Sequence, residues 1–163
     1  MTLHFEYLFA IALVPLVLGS IYYNPKVLGN AWMSAAGISM PESRPSPMEM
    51  LKIYLPVYLF SLIFCGMVLL STCIHQMGAY GMIGGDEANA LPSFAGFMAD
   101  YGLAFRTFKH GALHGSFLGL AATLFLVGTS ALFEQKTWKY IFIHLGFNVL
   151  CCAIMGGLIC QFV

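Results

Sequence analysis

The hydrophobic positions fall into four long runs, parted by stretches rich in glycine, proline or charge. A helix needs roughly 20 apolar residues to cross about 30 Å of hydrocarbon. Inside a bilayer the peptide groups must bond within their own segment, which favours helices over open strands. The pattern therefore predicts spans at about residues 3–23, 51–76, 110–133 and 138–163. The expected fold class is all-α: an integral membrane four-helix bundle forming a single transmembrane domain over residues 1–163.

The connections are uneven. Span 1 contains Pro15 and ends at Tyr22 and Tyr23, an aromatic pair suited to the headgroup level. Val27, Leu28, Ala31, Trp32, Ala35 and Ala36 then recur at helical spacing, which predicts a short interfacial helix before Pro41, Pro45 and Pro47 break it. Span 2 is longer than the hydrocarbon requires and carries Pro56 near its start. Between spans 2 and 3, Gly78, Gly81, Gly84, Gly85 and Pro92 accompany Asp86, Glu87 and Asp100. That stretch reads as a long polar loop with one short helix around Phe94 to Tyr101. The tight turn from Glu134 to Thr137 makes spans 3 and 4 antiparallel neighbours.

Composition narrows the class. The chain is 60% hydrophobic and 9% charged, against about 25% charged in soluble proteins. Seven basic residues balance seven acidic ones, so the electrostatic footprint of a nucleic-acid binder is missing. The first residues, Met1 to Glu6, lack a basic leader, and no small-residue cleavage site follows; the first run is expected to be a retained span. Cys65, Cys73, Cys151, Cys152 and Cys160 all fall in predicted spans, and their odd number and lack of CxxC spacing argue against a disulfide framework or a zinc site. Basic residues orient the chain: Lys26, Arg44, Lys52, Lys136 and Lys139 lie on one side, Arg106 and Lys109 on the other. The positive-inside rule then places both termini outside the cytoplasm.

Small residues mark the expected helix contacts, because lipid tails leave helices to associate by close packing and hydrogen bonds. Gly111, Gly115 and Gly119 form one stripe; Ala153, Gly157 and Cys160 offer another on span 4. The Glu134 to Thr137 turn favours packing within the chain over packing between copies.

Ionisable groups inside spans are the default candidates for chemistry. Glu6 and His4 begin span 1, His75 ends span 2, and His110 and His114 begin span 3, all on one face. His110 and His114 are i, i+4, so both imidazoles share a helical face and could grip an ion with His75 or Glu6 as a further ligand, as a metal or proton-relay site. The competing reading has them wet at the interface. His144 and Asn148 form a second i, i+4 pair deeper in span 4, read as an interhelical hydrogen-bonding pair or, more sharply, a substrate contact. The chain has no nucleophile elbow, P-loop or HExxH motif.

One stretch carries a resemblance. Gly19, Tyr22, Tyr23, Pro25, Gly29, Trp32, Met33 and Gly37 resemble the G-x-x-[WY]-Y-x-P-x-x-x-G-x-x-W-M signature of a small bacterial and fungal membrane family, domain of unknown function 1761. Lys109-His110-Gly111, His114-Gly115, Ala131-Leu132-Phe133-Glu134 and Lys139-Tyr140-Ile141 are similar to the C-terminal half of its bacterial members. Tyr22 stands where many relatives have Trp. The resemblance implies four spans and supplies no activity. The expected function is that of a non-enzymatic membrane protein acting by helix packing, as a small oligomer or a subunit of a larger membrane assembly. Its partners would be lipid and protein, and the sequence requires no cofactor. The alternative is sensing or transport of a small ion, proton or metal through His75, His110, His114 and Glu6.

Overall fold

The computed structural model describes residues 4–39, 43 and 45–163. The expected start of span 1 at Leu3, the breaker Pro41 and the basic Arg44 lie outside the described residues. The described residues are mainly helical, with no strand among them.

The first run forms α1 (Glu6–Ile11) and α2 (Val14–Tyr22), interrupted at Ala12 and Leu13 just ahead of Pro15. Proline has no N–H to give, so it sits at the second position of α2, where no partner is due. A wide turn over Pro25–Gly29 leads into α3 (Asn30–Ala36), and the two halves meet at a bend of 56°. Asn24 caps the wide turn by accepting from Lys26 N at 2.9 Å, and Gly37, at φ +75°, ends α3 in the left-handed region that glycine tolerates.

α4 (Pro47–Thr72) begins four residues earlier than its apolar run suggests. Ser46 and Glu49 form a reciprocal capping box, with Glu49 N donating to Ser46 Oγ (3.3 Å) and Ser46 N to the Glu49 carboxylate (2.7 Å). Pro47, expected as a breaker, instead opens the helix at its first position. The helix stops at Cys73, so the end of span 2 at residue 76 is corrected to Thr72, and His75 and Gln76 belong to a separate helix, α5 (Ile74–Met82). The expected polar loop is mostly helical: a short turn over Glu87–Asn89 follows α5, then α6 (Pro92–Tyr101), which coincides with the short helix expected there.

α7 (Phe108–Ala122), a second wide turn (Thr123–Gly128) and α8 (Thr129–Phe133) run on as one 26-residue helical stretch. Gln135 takes a left-handed backbone (φ 57°) in the reversal to α9 (Trp138–Phe162). Among the described residues three helices, Pro47–Thr72, Phe108–Phe133 and Trp138–Phe162, are long and apolar enough to cross a membrane, and a fourth crossing results if the bent pair from Glu6 to Ala36 counts as one.

α9 is the hub, packed against α1, α2, α3, α4 and α7. Its Met155, Ile159 and Cys160 join Ile11, Ala12, Cys65, Val68, Leu69 and Cys73 in the buried core. Large side chains such as Phe60, Ile63 and Phe125 point outward, as lipid-facing positions should. The closest approach is between α7 and α9. A Cβ on Gly111 would strike the Gly156 carbonyl, one on Gly115 the Cys152 carbonyl, and one on Gly119 would lie 2.9 Å from the Asn148 carbonyl. Gly156, passed over in the sequence, provides the reciprocal gap on α9, whereas Gly157 faces the Phe108 ring.

Candidate functional site

Two clusters gather the polar groups of the spans at opposite ends of the bundle. The first is built by the signature residues around His144. Tyr22 OH donates to the Ile143 carbonyl (2.9 Å), and Tyr23 OH lies 3.4 Å from His144 Nδ1. The Tyr23 ring packs on Trp32 (5.1 Å between centroids) and on Phe147 (4.9 Å), while Tyr140 covers the imidazole from one turn earlier at 4.4 Å. Thus the aromatic pair expected as headgroup anchors is half-buried, and it fastens the first run to α9 across 121 residues of sequence.

The glycines and proline of the signature shape that fastening unequally. Gly29 is buried in the wide turn, and a Cβ there would collide with the Tyr23 carbonyl and come within 2.8 Å of the Asn24 carbonyl carbon. Gly19 is less constrained: a Cβ would meet the Phe147 ring at 3.7 Å, ordinary van der Waals contact. Pro25 starts the wide turn, with Asn30 Nδ2 donating to its carbonyl (3.0 Å). Lys136 closes the cluster from outside, donating to the Ala36 carbonyl at 3.2 Å and standing 5.9 Å above the Tyr140 ring. His144 Nε2 is buried without a hydrogen-bond partner among the described residues. Asn148, expected to act with His144, lies one turn further along α9, and no hydrogen bond to its carboxamide occurs among the described residues.

The second cluster is a row of rings at the far end. His75 on α5 stands 5.7 Å from His110 on α7, and His110 stands 4.4 Å from His114. Phe105 packs beside both, at 5.2 Å from His75 and 5.3 Å from His110. Its backbone is left-handed (φ 61°), an unusual state for a bulky side chain. His110 Nε2 is buried and unpartnered among the described residues, whereas His75 is exposed. Glu6 binds His4 Nδ1 instead (2.9 Å). Among the described residues, no three His, Cys, Asp or Glu side chains form a group fit to hold a metal ion.

Two residues that the sequence did not single out anchor this end. Gln76 is buried, and its amide donates to the Tyr101 and Ala104 carbonyls (3.2 and 2.9 Å), tying α5 to the chain beyond α6. Arg106 Nε donates to the Cys160 carbonyl (2.7 Å) near the C-terminal end of α9, where carbonyls lack helical partners and a cation is favoured. A lone glutamine in an apolar run was the only signal for Gln76, and Arg106 looked like a charge at a span edge.

Long apolar helices packed through glycine gaps, with polar side chains such as Tyr22, Gln76 and Arg106 turned onto neighbouring backbone, define a multi-pass helical membrane protein. The chain belongs to the family described as protein of unknown function (DUF1761), which matches residues 7–160. No curated protein and no solved structure matches it.

Proposed function

We propose that this is a four-span, non-enzymatic membrane protein that acts through helix packing, as a small homo-oligomer or as a subunit of a larger membrane assembly. The observation that carries this reading is the connector between α4 and α7. There Met82, Leu91 and Leu103 are 88%, 74% and 81% exposed, beyond the ends of the long helices. Exposed apolar side chains on a connector suit contact with another protein or with the membrane surface, and the first of these supports assembly. Four crossings are supported by parity: His4 N donates to the Val163 carbonyl at 3.0 Å, so residues 4 and 163 share one level, and an even number of passes joins them. Lys26, Lys52, Lys136 and Lys139 against Arg106 and Lys109 favour both of these positions lying outside the cytoplasm, as in a bacterial inner membrane.

Crosslinking in the native membrane tests the assembly. The expected result is a defined dimer or heteromeric band that Met82→Glu plus Leu103→Glu reduces at least several-fold. A strictly monomeric protein with no crosslinked partner overturns it.

A second reading, proton or metal sensing, is favoured by the row of His75, His110 and His114 and by the unpartnered His110 Nε2. It predicts that, in a Trp32→Phe plus Trp138→Phe background, a tryptophan placed beside His75 and His110 by Phe105→Trp changes its emission between pH 5 and pH 8, about the range of imidazole titration, or on adding zinc. His110→Ala plus His114→Ala should abolish both responses. Unchanged responses in that variant end this reading.

A further inference from the structure

We propose that the cavity between α2, α4, the α7–α8 stretch and α9 is a binding site for a flat, lipid-soluble carbonyl compound of the quinone class. The cavity holds about 400 Å³, within the roughly 300–1,000 Å³ of small-molecule sites. Its walls come from near the middle of the three long helices: Phe60 and Phe64 of α4, Thr123 and Leu126 of the second wide turn, Phe147 and Asn148 of α9. At that depth the neighbouring phase is hydrocarbon, and Phe60 and Leu126 are themselves exposed to it. A ligand therefore arrives sideways from the bilayer and has an apolar body. No charged residue lines the space, which disfavours an ionic headgroup.

The backbone is irregular where it meets this cavity. Pro15, which follows the break in the first run, lines it; so does Val57, the neighbour of Pro56 in α4; and the wide turn Thr123–Gly128 forms part of its wall. Single widened turns inside helices are frequent at functional sites. Pro15 and the wide turn thus face the same void, with Val57 of the continuous α4 beside them.

Polar chemistry selects the occupant. Ser61 spends its hydroxyl on the Val57 carbonyl (2.8 Å). The Asn148 carboxamide and the Thr123 hydroxyl have no hydrogen bond among the described residues, and neither is sealed off in the packing: both residues line the open space. Both can donate, from adjoining helices, in a medium without water to satisfy them. A saturated chain would leave both donors idle. A ring bearing two carbonyl acceptors satisfies them and lies flat against the Phe64 and Phe147 side chains.

The test uses the full chain in lipid nanodiscs, with decylubiquinone as probe and hexadecane as a carbonyl-free control, read by thermal melting. Decylubiquinone at saturation should raise Tm by about 5 °C, and hexadecane should not. Asn148→Leu and Thr123→Val, which keep side-chain size, should each weaken binding about five- to tenfold. Ala122→Phe, which adds a ring at a residue lining the cavity, should abolish the shift while circular dichroism reports an intact helical fold. An absent shift, an equal shift with hexadecane, or unaltered affinity in both polar variants overturns the proposal; if one variant fails to fold, the other decides.

Discussion

Replacing Gly115 by Leu is expected to cost about 3 kcal/mol or more and to lower the Tm in detergent by roughly 10 °C. Every atom beyond Cα at this position has to enter space held by the Cys152 backbone, which cannot swing away as a side chain can. The only relief is to separate α7 from α9. That also opens the gaps at Gly111 and Gly156, where each glycine's missing Cβ accommodates the other's carbonyl. Separation forfeits dispersion contacts and the close approach on which membrane helices depend in place of hydrophobic exclusion. Gly66→Ala and Gly78→Ala make matched controls, since an added Cβ at either position meets nothing within 4 Å. Alanine favours helix over glycine by up to about 1 kcal/mol, so these two should melt at or slightly above the wild type. Equal melting of Gly115→Leu and the controls would refute the described α7–α9 contact.

Gly29→Ala should be the second most damaging change, at about 2 kcal/mol, through a different route. Here the obstruction is local: the Cβ collides with the Tyr23 carbonyl of the same wide turn. To admit it the turn must open, and α3 then leaves its 56° bend against the preceding helix. Trp32 would lose its packing on Tyr23, and Tyr23 its contact with His144. In a Trp138→Phe background, the emission of Trp32 reports this directly. A shift toward that of a solvated indole is expected for Gly29→Ala and not for Gly19→Ala, whose added methyl finds ordinary contact distance from Phe147. Identical spectra for the two variants would mean that the signature glycines are interchangeable and that the turn is not the constraint.

The legible part of this fold is the part governed by a single physical demand. Backbone groups in oil must bond locally, so uninterrupted apolar runs become helices of membrane length, and the ends expected at residues 110, 133, 138 and 163 lie within two residues of those observed. Helix ends outside the oil obey finer rules. Ser46, Pro47 and Glu49 spell a capping box, yet proline clusters also spell a break, and only the reciprocal hydrogen bonds decide between them. The stop at Cys73 has no proline or glycine to announce it.

Long-range partnerships were less legible still. The signature could be recognised as a string, but its purpose lies in contacts with Ile143, His144 and Phe147, more than a hundred residues away. The interfacial reading of Tyr22 and Tyr23 followed from their place at the end of an apolar run; their engagement with α9 follows from a packing angle that no local pattern encodes. Glu6 shows the same limit. Topology brought it to the face of the histidines, and a neighbour two residues away claimed it first.

The wide turn at Thr123–Gly128 alters how the longest small-residue stripe should be counted. Buried positions run 111, 115, 119 and 123 at intervals of four, and the next is 128, an interval of five. One surplus residue advances the helix surface by about 100°, and the local widening absorbs that advance, so Gly128 still meets Ile141 on α9. The two halves of this stretch are thus out of phase by one residue in sequence while in phase in space. Members of the family with one residue fewer here would present the same inward face through an unbroken α-helix, and an ungapped comparison would misassign every position beyond it.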